Sequence, residues 1–248
     1  MTDRRTVVYR YATPATGEAG SNPRANPVTS RDTMDDARRV VIKIGSSSLT
    51  TSEGLNTEAI DALVDVIASL RQKGTQVVLV SSGAVAAGFP QLGLTRRPKD
   101  TATQQAAASV GQGSLMAYYS QSFQRYDTTV AQVLLTAEEL MRRRQYINAH
   151  RSLARLLTMD VMPIVNENDA VATREIRFGD NDRLAALTAN LVKADLLVLL
   201  SDVDSLYTGH PALPDSRRIA TVASDDDLEG VDVRRPGAAG GGPGGMGA

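Results

Sequence analysis

Cysteine is absent from this sequence, which excludes disulfides and thiolate metal sites at once. Histidine is nearly absent too: His150 and His210 are the only two. They lie far apart and form no metal-ligand spacing. Charge is balanced, with a formal net value of −1, so the chain carries no overall field that would draw it to nucleic acid or an anionic membrane. No apolar run approaches the ~20 residues of a membrane helix. Arg4 and Arg5 near the N-terminus are not followed by the apolar segment of a secretory signal. Two common nucleotide signatures are also missing: Gly45-Ser46-Ser47-Ser48 lacks the Gly-Lys-Ser/Thr ending, and no Gly-x-Gly-x-x-Gly follows the first predicted strand. No internal repeat is visible. These absences leave a soluble, cytoplasmic protein as the expectation, with no membrane and no nucleic acid among its partners.

What is present suits one large domain. The 248 residues are 42% hydrophobic, ample for a single core. Residues 1–38, rich in Thr, Ala, Arg, Pro and Asn without hydrophobic periodicity, are expected to form a disordered extension. Met34, just ahead of the first predicted strand, is a candidate translation start. Val40 to Gly45 reads as a strand with Lys43 near its end, followed by Ser46, Ser47 and Ser48. Asn56 is placed to cap a helix whose Ile60, Leu63, Val64, Ile67 and Leu70 share one face, with Gly74 at its C′ position. Val77–Val80 is a second buried strand, running into Ser81-Ser82-Gly83-Ala84, where small residues let backbone N–H groups approach an anion. A long Ala/Gln/Ser helix is predicted over 101–126 and a strand over 130–135. A capping box of Thr136 and Glu139 opens a helical stretch towards Thr158. A helix over about 181–193 and a strand over 196–200, ending in Ser201-Asp202, complete the alternation. Segment 171–178 is a candidate hairpin at the sheet edge.

Strands alternating with helices, several of them apolar on both faces, predict an α/β fold: a three-layer α/β/α sandwich with a mainly parallel central sheet. The predicted domain spans 39–236, and residues 237–248, with seven glycines, form a Gly-rich tail.

The chain is organised around Val161 to Val171 and the Gly179-Asp180-Asn181-Asp182 that follows. A short apolar run breaks into alternating carboxamides and carboxylates, Asn166-Glu167-Asn168-Asp169, which no core accepts without partners. Gly179-Asp180-Asn181-Asp182 then opens a helix. Polar groups beyond a strand's carboxyl end, facing a helix N-terminus, are where open α/β sheets bind ligands. Taken singly, these residues have plain explanations: Asp180 or Asn181 as a helix cap, Lys43 as a solvated strand end, Ser82 as a turn residue. Together, Lys43, Ser82, Asn166, Asp169, Asp180, Asn181, Asp182, Ser201 and Asp202 line one edge of the predicted sheet.

Val41 to Ser46, Ser81 to Gly88, Asn166 to Val171 and Gly179 to Asp182 resemble the motifs of the amino acid kinase family over about residues 39–248. The first motif is shared loosely with carbamate, acetylglutamate, aspartate and uridylate kinases. The Asn-Glu-Asn-Asp-Ala-Val block before Gly-Asp-Asn-Asp is specific to the branch that phosphorylates glutamate. The resemblance implies phosphoryl transfer from ATP, with Mg²⁺, to the side-chain carboxylate of L-glutamate, the first step of proline synthesis. It implies Lys43, Asp180 and Asp182 as catalytic residues and Ser82, Asp169 and Asn181 as substrate-binding residues. Lys43, Gly45, Ser46, Ser201, Asp202, Gly244 and Gly245 would lie on the nucleotide side. No side chain is expected to hold a resident metal, since Mg²⁺ prefers ATP oxygens and water. A homo-oligomer and proline as feedback inhibitor are implied on the same basis.

The family's Gly-Thr-Gly-Gly-Met-x-Thr-Lys loop supplies a second catalytic lysine. Gly242 to Ala248 begins that pattern with Pro243 in place of Thr and stops before the lysine. The expectation is therefore a kinase domain lacking C-terminal elements, with impaired activity. Its rivals are a non-catalytic fragment that binds glutamate or nucleotide, and another member of the family such as acetylglutamate or carbamate kinase.

Overall fold

A computed structural model of the chain describes residues 6–9, 31–51, 54–172, 180–201, 203, 205–209, 212–222, 224–229 and 231. In chain order the elements are β1 (Thr6–Tyr9), β2 (Arg39–Ile44), α1 (Ser46–Leu49), β3 (Thr50–Thr51), β4 (Gly54–Leu55), α2 (Thr57–Gln72), β5 (Gln76–Ser81) and α3 (Ala84–Gly88). They continue with α4 (Thr101–Gln124), β6 (Val130–Leu135), α5 (Ala137–Leu140), α6 (Arg143–Thr158), β7 (Met162–Glu167), α7 (Asp180–Val192), β8 (Leu196–Leu200), β9 (Leu206–Tyr207) and β10 (Arg218–Ile219). Six strands form one sheet in the order β1-β8-β2-β5-β7-β6. All neighbours are parallel except β1, which pairs antiparallel with β8 at the edge.

Two apolar layers cover the sheet, giving the expected α/β/α architecture. On one face Ile42, Ile44, Val77, Leu79 and Ile164 pack with Ile60, Leu63 and Ile67 of α2 and with Leu115, Tyr119 and Phe123 of α4. On the other, Val41, Val78, Val80 and Val165 pack with Leu153 and Leu157 of α6 and with Leu184 and Leu191 of α7. Side chains alternate between faces along a strand. Burial on both faces is why Val40–Ile44 and Val77–Val80 read as unbroken apolar runs. The same alternation sends Lys43 to the α7 face, with Val41. It sends Ser81, the last residue of β5, to the α4 face, with Leu79.

The capping residues sit as expected. The Asn56 side chain accepts from the Ala59 N–H, and Thr136 with Glu139 forms a complete capping box. Three expectations need correction. The helix after Thr136 is two helices, because Arg142 adopts an extended backbone between α5 and α6. The polar block after Val165 does not begin outside the sheet, since β7 includes Asn166 and Glu167. Within 1–38, Thr6–Tyr9 is an edge strand opposite Leu197–Leu200, and Arg31–Asp36 is a 3₁₀ turn. The candidate hairpin over 171–178 lies largely outside the described residues, as does the Gly-rich tail. Among the described residues no helix is long and apolar enough to cross a membrane.

Two helices approach unusually closely behind the site. A Cβ added at Gly88 of α3 would lie 1.9 Å from the Ala107 carbonyl oxygen, and one at Gly111 of α4 would lie 1.9 Å from that of Ala84. The obstacles are backbone, so they cannot swing aside. Gly113, two residues on and exposed on the opposite side of α4, meets nothing within 4 Å. Gly111→Ala is therefore expected to destabilise by about 3 kcal/mol, lowering the melting temperature by roughly 5–12 °C. Gly113→Ala should leave stability unchanged or raise it by up to about 1 kcal/mol through helix propensity. Thermal denaturation of the two variants checks both.

Candidate active site

Strand register brings the chemistry to one line. Ile44 is level with Ser81 on β5 and with Leu200 on β8, and Val80 is level with Val165 on β7. Gly45, Ser82, Glu167 and Ser201 therefore sit at the same height on neighbouring strand ends, roughly 4.8 Å apart from strand to strand. Strands β8 and β5 flank β2 on opposite sides; β2 leads through α2 to β5, and β8 is reached from β7 through α7. Open parallel sheets bind ligands in the crevice beyond the carboxyl ends of their strands.

On the α7 face, Lys43 is only 5% exposed and its Nζ lies 2.7 Å from Asp182 Oδ1. Asp182 sits in the first turn of α7, so the helix start and the end of β2 are held together by an ion pair. A Cβ at Gly45 would stand 3.6 Å from the Lys43 Nζ. That is ordinary contact distance, which places position 45 directly beside the ammonium.

On the α4 face, a chain of carboxamides runs along the same edge. Asn166, 2% exposed, donates from Nδ2 to Gln112 Oε1 at 2.8 Å, and its Oδ1 accepts from the Glu167 N–H at 2.9 Å. Asn181 reaches over from α7. Its Nδ2 donates to Ser82 Oγ at 2.6 Å and lies 3.3 Å from the Ser81 carbonyl oxygen and 3.4 Å from Asn166 Oδ1. The Ser81 hydroxyl meets the Tyr119 hydroxyl at 3.0 Å inside the core, and burial raises the Tyr119 phenol far above its ordinary pKa, keeping it protonated. Gly83, at φ 101°, makes the left-handed turn that starts α3 directly after Ser82, a conformation that costs other residues strain.

Asp169 lies two residues past β7, half-buried. Its carboxylate lies within electrostatic reach of the exposed Arg97 and favours the charged guanidinium. The nearby Ala172 carbonyl accepts from Gln105 Nε2 at 3.2 Å, tying this loop to the start of α4. Ser46 begins α1 and its carbonyl accepts from Thr50 Oγ1. The Ser201 hydroxyl accepts from the Val203 N–H at 3.1 Å, a local turn rather than an open ligand.

Of the residues singled out from sequence, Lys43, Gly45, Ser82, Asn181 and Asp182 converge on one edge, with Ser46 and Ser201 beside them. Asp202, Gly244 and Gly245 lie outside the described residues, as does the side chain of Asp180. Gln112, Tyr119 and Arg97 were not singled out. Gln112 is buried among Ala107, Ala108, Gly111, Leu115 and Tyr119 of α4, but with Ala, Gln and Ser around the whole helix no apolar face marks it in the sequence.

Comparison with known proteins decides the assignment at family level. The amino acid kinase family model matches residues 38–248. The chain belongs to the amino acid kinase family. The chain is 62% identical to the glutamate 5-kinase of Thermobifida fusca over 87% of its own length and 56% of that protein's. It is 60% identical to that of Streptomyces coelicolor, over 87% of this chain and 58% of the relative. The glutamate 5-kinase of Leifsonia xyli is 55% identical, with 88% of this chain and 80% of the relative covered. The chain thus spans little more than half the length of the first two relatives. In this amino acid kinase chain the described motif residues fall at the ends of β2, β5 and β7 and in the first turns of α3 and α7.

The buried ion pair makes a stability prediction. Removing one partner of a buried pair costs about 3 kcal/mol or more. Asp182→Ala, which takes the carboxylate from an almost fully buried ammonium, should therefore destabilise more than Lys43→Met, which strips the partner from a carboxylate with 27% of its side chain exposed. Urea unfolding of both variants gives the comparison. Equal losses would mean that burial of Lys43 does not govern the site.

Proposed function

We propose that this chain carries the catalytic and substrate residues of a cytoplasmic kinase that transfers the terminal phosphoryl group of ATP to the side-chain carboxylate of L-glutamate. The observation that carries the reading is the side-by-side arrangement of the Lys43–Asp182 pair and the Ser82–Asn181 hydrogen bond on adjacent strand ends. The names of the relatives, 55–62% identical, support the acceptor.

The reaction asks little acid–base work of the protein. A glutamate side chain, with an ordinary pKa of about 4.3, is already ionised at neutral pH. One of its oxygens attacks phosphorus, a P–O bond forms, and the bond to the ADP oxygen breaks with its electron pair staying on ADP. Two anions must be brought together, so the catalytic task is positioning and charge neutralisation. Lys43 supplies a mobile point charge for the transferring oxygens, and Asp182 keeps it aimed. Asp169 and the Asn181 oxygen suit the substrate's α-ammonium, while the Ser82 hydroxyl suits a carboxylate. Among the described residues no three His, Cys, Asp or Glu side chains converge on a metal site. Mg²⁺, which prefers ATP oxygens and water as ligands, would screen phosphate charge in this reaction. Proline, which shares glutamate's ammonium and carboxylate, would compete at the same residues. Homo-oligomeric assembly belongs to the same reading.

An acyl phosphate is trapped by hydroxylamine as a hydroxamate. The chain with glutamate, MgATP and hydroxylamine should form γ-glutamyl hydroxamate, and Lys43→Met should lower its rate by roughly 10²–10³. Asp169→Ala should raise the KM for glutamate and leave that for ATP unchanged. Glutamate binding without hydroxamate would favour a non-catalytic binder. Preference for carbamate or acetylglutamate would assign a different member of the family.

A further inference from the structure

We propose that Gln112 is a positioning residue that fixes the donor and acceptor polarity of the substrate pocket, a role that rests on the kinase reading above. Carboxamides are symmetric in shape, so Asn166 and Asn181 could each sit either way round, and only their partners decide. Two backbone groups anchor the decision. The Glu167 N–H is an obligatory donor and sits 2.9 Å from Asn166 Oδ1. The Ser81 carbonyl is an obligatory acceptor and faces Asn181 Nδ2 at 3.3 Å. Asn166 must therefore point its NH₂ towards α4, where Gln112 Oε1 accepts it at 2.8 Å.

The consequences run outward from that oxygen. With Asn166 held, its Oδ1 stands 3.4 Å from Asn181 Nδ2, which reinforces the Asn181 orientation. Asn181 Nδ2 also donates to Ser82 Oγ, so the Ser82 O–H is directed away from Asn181 and remains a donor. Asn181 Oδ1, buried and without a partner among the described residues, remains an acceptor. The pocket then offers a hydroxyl donor for a carboxylate and a carbonyl acceptor for an ammonium, matching an amino acid zwitterion. Gln112 is itself 92% buried by its 8% exposure, and its Nε2 has no partner among the described residues. It is retained in a helix interior for its oxygen. An apolar residue of the same length would fill the space equally well and abolish the polarity.

The test compares Gln112→Met with Gln112→Glu in the hydroxamate assay, beside a glutamate titration followed by melting temperature. Gln112→Met, which keeps the volume and removes the acceptor, should raise the KM for glutamate about tenfold and leave the KM for ATP unchanged, the effect of one lost buried hydrogen bond. Gln112→Glu, which keeps an acceptor oxygen, should return glutamate KM to within about threefold of the wild type. Unchanged glutamate KM in a folded Gln112→Met overturns the proposal. So does a folded Gln112→Glu that has lost glutamate affinity, a reading available even where the Met variant fails to fold. Equal rises in both KM values with a lowered melting temperature would reduce Gln112 to a structural role. A wild type with no glutamate response at all would instead remove the kinase reading.

Discussion

The Asn181 carboxamide is where the two halves of this site meet. It projects from the first turn of α7, on one face of the sheet, and donates to Ser82, just past the end of β5, and towards Asn166, on the opposite face. One residue further along, Asp182 holds Lys43. Two consecutive side chains of one helical turn thus lock the strand ends of β2, β5 and β7 into a common frame. The charged half and the carboxamide half cannot move independently. For the proposed phosphoryl transfer, which brings two anions together, fixed geometry of this kind would supply most of what a protein can contribute.

The carboxamide of Asn166 is tolerable in that frame because both of its ends have partners. Asn166 would be costly in a sheet interior if its amide were unpaired. Gln112, the Glu167 N–H and Asn181 meet that demand together. The unpaired atoms among the described residues are informative for the same reason. Asn181 Oδ1 is buried without a hydrogen-bond partner among the described residues, and the ammonium of the proposed substrate would satisfy it. The close glycine contact between α3 and α4 serves the same frame: it brings α4, with Gln112 and Tyr119, within reach of Ser81 and Asn166.

Much of this was legible in the sequence, for physical reasons. Runs such as Val40–Ile44 and Val77–Val80 announce strands buried on both faces, and Asn56 and Thr136 announce helix starts by side-chain chemistry. Lys43, Ser82 and Asn181 stood out as polar residues at the ends of apolar runs. The break at Arg142 was not legible, because the residues around it are good helix formers and only tertiary packing selects the kink. Thr6–Tyr9 was hidden because four residues in a polar, Pro-containing context give no period. Asn166 read as loop because its burial depends on Gln112, 54 positions away. Gln112 in turn was masked by a helix with Ala, Gln and Ser on every side, which shows little amphipathic contrast.

The central claim is that the ammonium of Lys43 and the oxygen of Asn181 address one bound molecule. The most direct measurement is a crystal structure of this chain with L-glutamate and a non-hydrolysable ATP analogue. The account predicts the α-ammonium within hydrogen-bond distance of Asn181 Oδ1 and the side-chain carboxylate between Ser82 and the Lys43–Asp182 pair. Glutamate bound elsewhere, or bound at this edge without contact to Asn181, would contradict it.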